Sequence, residues 1–177
     1  MPILVLAEHD NAALKPATRN TVAAARKIGE KTGDSEIHVL VAGDKPQPVA
    51  EAASHLEGVS RVLIADAPHL GAQTAEGVGG QAVLQVRTGN YSHLLAPATT
   101  FGKDVLPRVA AQLDVQQISG IAEVIDGSTF VRPIYAGNAL ATIQAGTTEQ
   151  IRVLTVLATA FDAAPVKESA SPVEAVA

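Results

Sequence analysis

Two hydroxyls, a glycine and a lysine follow one another in Thr99-Thr100-Phe101-Gly102-Lys103, directly after the uncharged run Ser92–Ala96. That order suits anion chemistry. A helix starting just beyond a buried strand presents free backbone amides and the positive end of its dipole, where phosphates collect. Thr99 and Thr100 would add hydroxyl donors, Gly102 a close backbone approach and Lys103 a counter-charge. The same residues also suit a purely structural role, with Thr99 or Thr100 capping the helix and Gly102 allowing a tight turn. The spacing is not that of a Walker A loop. At the level of sequence two readings stand: a phosphate or adenylate loop, or a cap alone.

Other residue groups carry less. Gly77-Val-Gly79-Gly-Gln-Ala82 has the letters of the dinucleotide fingerprint, but it lies inside an expected helix rather than at a strand-to-helix turn. Close packing or a helix break explains it better. Glu8-His9-Asp10-Asn11 follows another apolar run and reads as a polar turn before a helix. It shares the carboxyl end of a strand with the threonine loop, so a crevice or partner role is the alternative. His9 has no identifiable base or nucleophile beside it. Arg132, Tyr135 and Asn138 cluster around one expected hairpin. Arginine and tyrosine favour protein interfaces, because each combines contact area with polar reach; a solvated edge strand is the plainer reading. The chain has no cysteine, which removes disulfides, thiol catalysis and Cys-based metal sites. Its five histidines are scattered, with no i, i+4 pair, so no metal site is expected.

The elements that must position these residues follow from periodicity. Ile3–Ala7, Glu36–Ala42, Arg61–Ala65 and Ser92–Ala96 are short apolar runs of the kind buried on both faces of a parallel sheet. Helices are expected between them, over Lys15–Lys31, Pro48–Leu56, Ala72–Val86 and Lys103–Leu113. Pro16 suits a first turn, and Pro107 is tolerable only near a helix start. After Asp114 the period changes. Ile121–Ile125, Phe130–Tyr135, Leu140–Ala145 and Ile151–Ala158 read as four strands of an antiparallel meander. Asp126-Gly127 and Gly137-Asn138 are hairpin signals, and Arg132-Pro133 places the second strand at an edge or bulge. The fold class is therefore α/β, a doubly wound, mainly parallel sheet followed by an antiparallel β-meander. Residues 163–177 have two prolines, small side chains and no sustained period. They read as a flexible linker, spanning roughly 20 Å root-mean-square, behind a domain of residues 1–162.

Composition narrows the function. The net charge is −5 and there is no Trp, so neither nucleic acid nor an aromatic base-stacking platform is expected. No apolar run reaches the ~20 residues of a membrane span. The N-terminus lacks a basic leader, so a bacterial cytoplasm is expected ahead of a mitochondrial matrix.

Four segments resemble the N-terminal domain of the electron transfer flavoprotein alpha subunit. They are Ile3–Asn11 with Leu14–Thr18, Val39–Gly43, Leu95–Ala110, and Asp114–Ser119 with Thr129–Asn138; Ala160-Phe-Asp-Ala163 adds to them. The resemblance implies an adenine nucleotide alpha hydrolase-like fold. It implies a heterodimer that carries electrons from acyl-CoA and related dehydrogenases, including those of fatty acid beta-oxidation, toward a membrane quinone oxidoreductase. FAD would sit mainly in a C-terminal domain of the alpha subunit, expected to lie beyond this chain, and AMP in the beta subunit. This chain would then be a non-catalytic scaffold that packs on the beta subunit and seats the FAD domain through Pro165–Ala177. It would bind no FAD itself, and Thr99, Thr100, Gly102 and Lys103 would be a vestigial nucleotide loop. Arg132, Tyr135 and Asn138 would face a partner. The competing readings are a small adenine-nucleotide-binding module of the stress-protein kind and, weakest, an autonomous hydrolase.

Overall fold

The computed structural model describes residues 1–34, 36–146 and 151–177. Four βα units run in sequence: β1 (Ile3–Leu6), α1 (Pro16–Thr32), β2 (Ile37–Gly43), α2 (Gln47–Ser54), β3 (Arg61–Asp66), α3 (Ala75–Gly89), β4 (His93–Pro97) and α4 (Thr100–Leu113). Then come β5 (Gln117–Ile121), β6 (Glu123–Val124), β7 (Thr129–Ile134), β8 (Ala139–Gln144), β9 (Arg152–Val156) and β10 (Val173–Ala175). Seven strands form one sheet in the order β10-β3-β2-β1-β4-β9-β5, all neighbours parallel; β6-β7-β8 form a separate antiparallel sheet. The strand order reverses direction between β1 and β4, the position where open α/β sheets place ligands.

Alternation along the strands divides the core. Ile3, Val5 and Ala7 join α1, α2, Phe130 and Phe161 on one face, while Leu4 and Leu6 join α3 and α4 on the other. Both faces of the sheet are covered, which is why its strands read as continuous apolar runs. Gly79 lies where α3 meets α4, with space for no more than ordinary contact to Val109 and Val105. Gly79 thus lies at a helix–helix contact, while Gly80 faces open space. Thr74 caps α3 by accepting from the Gly77 amide.

Four expectations differ from the structure. The run near 151–158 does not close the meander: β9 returns to the main sheet and inserts between β4 and β5, and its last four residues are buried. A short apolar run signals burial but not which neighbours bury it. The expected run Ile121–Ile125 shortens to β6 (Glu123–Val124), and α4 is followed by an unexpected strand, Gln117–Ile121. That strand bulges at Gly120 (φ 66°), whose amide donates to Thr155 Oγ1. Pro107 lies in the eighth residue of α4, not its first turn, on the exposed side. Residues 163–177 run along the sheet margin instead of hanging free. Ala164 and Ser171 are buried, β10 pairs with β3, and Lys167 Nζ donates to Val59 O and Ser171 Oγ. The open edge of β3 supplies backbone partners that no local period in 163–177 announces. The turn expected between the last two runs falls on residues 147–150, outside the described residues.

The Arg132-Pro133 signal resolves in an unexpected way. β7 is the middle strand of its sheet, yet β6 pairs only with Phe130 and Val131. Pro133 therefore sits beyond β6, where its missing N–H breaks no ladder.

Candidate functional site

The crevice at the switch point is bounded by the segments after β1 and β4. Glu8 leaves the end of β1, and its backbone is pinned to α1: the Glu8 amide donates to Thr18 Oγ1 at 3.0 Å. Its carboxylate turns toward the opposite wall. There Thr99 Oγ1 donates to Glu8 Oε2 at 2.8 Å, a hydrogen bond that crosses the crevice. Thr99 occupies the N-cap position of α4 with extended backbone, but its hydroxyl makes no capping bond. The expected cap is thus replaced by a bond across the crevice.

The rest of the threonine loop follows the same logic. Thr100 and Lys103 are exposed on the first turn of α4 and Gly102 is buried. A Cβ on Gly102 would lie 1.9 Å from the Pro97 carbonyl oxygen. The glycine lets α4 start tight against the end of β4, which accounts for its presence without a ligand. A phosphate at this helix end would meet the Glu8 carboxylate, and the Thr99 hydroxyl is already engaged.

A second knot closes the neighbouring loops. Asn11, in the left-handed region at φ 69°, donates its amide to His9 Nδ1 and its Nδ2 to Gly71 O, and accepts from the Asp44 amide through Oδ1. One side chain thereby joins the loops after β1, β2 and β3. Gly43 makes room for it, since a Cβ there would sit 2.4 Å from Asn11 Oδ1. His9 is buried, and among the described residues its Nε2 makes no well-formed hydrogen bond. Burial lowers its pKa below the ordinary imidazole value, outweighing the opposing pull of the Ala42 backbone and the Asp10 carboxylate. Asp10 pairs with Lys15 and caps the Ala12 and Ala13 amides, which together lower its pKa to about 2. The polar-turn reading of residues 8–11 thus describes them well, with Glu8 reaching further than expected. Two cavities, of about 300 and 950 Å³, lie at the other end of the sheet, lined by residues such as Ile37 and Asp34, or Tyr91 and Ile151.

The expected interface residues sit on the β7–β8 hairpin but do different things. Tyr135 is 81% exposed at the tip. Asn138 donates both its amide and its Nδ2 to Tyr135 O, so it holds the turn together. Arg132 is half-buried, and its Nε has no hydrogen-bond partner among the described residues. Ile134 and Leu140, 42% and 71% exposed, complete an apolar tip that the three residues alone did not convey. Their position either side of the Gly-Asn turn was the available signal. The root of the hairpin is tied by His93, whose Nε2–H donates to Gly127 O at 2.7 Å, while its Nδ1 accepts from Ser92 Oγ.

These features lie on a chain that matches the electron transfer flavoprotein domain over residues 3–177. The chain belongs to the electron transfer flavoprotein family. It is 55% identical to the electron transfer flavoprotein subunit alpha of Pseudomonas aeruginosa, over 99% of this chain and 54% of that protein. It is 46% identical to the mitochondrial subunit alpha of Dictyostelium discoideum, over 92% of this chain and 45% of that protein. The subunit alpha of Paracoccus denitrificans is 40% identical over 97% of this chain and 54% of its own length. The chain thus spans about half the length of the curated relatives it matches, and the relatives include both bacterial and mitochondrial electron transfer flavoproteins. No helix among the described residues is long and apolar enough to cross a membrane.

Proposed function

We propose that this chain is a scaffold domain of an electron transfer flavoprotein alpha subunit, an electron-carrier part rather than an enzyme. It packs on a beta subunit through the β7–β8 hairpin and supports a separate flavin-binding domain, with residues 163–177 leading toward it. The parent heterodimer carries electrons through FAD from acyl-CoA and related dehydrogenases toward the respiratory chain. The beta subunit holds AMP, and the corresponding loop here, Thr99 to Lys103, is vestigial.

The observation that carries this reading is the Glu8–Thr99 hydrogen bond across the switch-point crevice. A nucleotide-binding module of the stress-protein kind needs that space and those amides for phosphate, and a carboxylate set there opposes it. The apolar hairpin tip supports the partner role, because a patch rimmed by polar residues marks interaction surfaces.

The visible absorption spectrum of the purified chain tests the division of labour. A colourless protein that also gives no heat on titration with AMP is expected. Stoichiometric bound flavin, or AMP binding abolished by Lys103→Ala, would move nucleotide chemistry into this domain and overturn the proposal.

A further inference from the structure

The β7–β8 hairpin loses its cover along its length. On one face Phe130 is fully buried and Ile143, its partner across the ladder, packs against the core. Two residues on, Arg132 is half-buried opposite Ala141; two further, Ile134 is exposed opposite Ala139. The face that roots the hairpin in the core therefore continues outward as a ledge, with small residues opposite the arginine and the isoleucine.

Arg132 is unusual on that ledge. Among the described residues its buried Nε has no hydrogen-bond partner, and no carboxylate lies within ion-pair distance of it. A guanidinium that has shed part of its water gains most from an arriving carboxylate, which can accept two parallel N–H bonds from its fork. The tip beside it is held in costly backbone. Tyr135 and Ala136 have φ of 51° and 52°, followed by Gly137 at 89°. Asn138 fixes this turn through its two bonds to Tyr135 O. Strain held this way persists only where surroundings enforce it, and a preorganised tip has less freedom to lose on docking.

We infer that the ledge seats the partner subunit through a carboxylate bound by Arg132, with Ile134 on the same face and Tyr135 at the tip as the apolar surround. This rests on the partner-docking reading above and adds the chemistry of its anchor. A second copy of this chain is a poorer occupant: a two-fold contact through the ledge brings Arg132 against its own like charge.

The test is titration calorimetry of the chain with the beta subunit from the same source, at about 50 and about 500 mM salt. The wild-type chain binds, and more weakly at high salt. Arg132→Gln weakens binding at least about 30-fold and flattens the salt dependence, because the lost contact is ionic. Arg132→Lys falls between the two, since an ammonium cannot supply the fork. Each variant keeps the wild-type melting curve; if Arg132→Gln does not, Arg132→Lys carries the comparison. Wild-type affinity in a folded Arg132→Gln, with loss in Ile134→Ser, leaves the docking surface standing and overturns the anchor. No binding by the wild-type chain overturns both. A dimer of this chain that Arg132→Gln abolishes overturns the choice of occupant.

Discussion

His93 is the side chain through which acidity should act on this domain. It is buried beside Phe130, and its neutral ring bridges Ser92 and Gly127. Burial lowers its pKa to about 4, against the pull of the Gly127 carbonyl. The folded pKa lies below the unfolded value, so the unfolded chain takes up the proton first as pH falls. The stabilisation is whole above about pH 6.5 and is lost between there and about pH 4, some 3 kcal/mol at the limit. His9 and His38 are lowered in the same sense, both chiefly by burial. Denaturation curves from pH 7 to 4.5 should show stability falling steadily, with a smaller slope in His93→Gln. A variant slope equal to that of the wild type would remove His93 from the explanation. None of this was legible in the sequence, where His93 is one of five scattered histidines. Its acceptor comes from a loop 34 residues away.

At the scale of elements, the tightest joint is the passage from β4 to α4. Gly102→Ala drives a methyl into the Pro97 carbonyl, and backbone cannot step aside as a side chain does. The cost should be at least about 2 kcal/mol, read as a fall in the denaturation midpoint, while Gly80→Ala, with open space around its Cβ, should be neutral or stabilising. Equal effects at the two positions would show that the contact is relieved by a shift of α4. The sequence indicated this joint and the first eight elements, because apolar runs and helical stripes are local signals. It gave the meander's strands but not their partition, since β9 differs from β7 and β8 only in what surrounds it. The Glu8–Thr99 bond joins residues 91 apart. It became visible only once the strand order had set β1 beside β4.

For the molecule as a whole, residues 163–177 act as a strap. The Val62 amide donates to Pro172 O and the Val176 amide to Ile64 O, while Arg61 pairs with Glu174. Deleting the strap bares the apolar strand β3 as an open edge, which invites pairing between chains. The shortened chain should melt on the order of 5–10 °C lower and associate in light scattering. A monomer with an unchanged melt would return these residues to the status of a linker. The two tyrosines, in a chain without tryptophan, have a practical consequence of their own. Tyr91 is buried and hydrogen-bonded to His38 Nδ1, with its pKa raised to about 12 by burial; Tyr135 stands in solvent at the hairpin tip. Ultraviolet emission from this protein is therefore the sum of one shielded phenol and one exposed phenol. Any surface that covers the tip will alter the second and spare the first, so the molecule carries its own unlabelled optical gauge of docking.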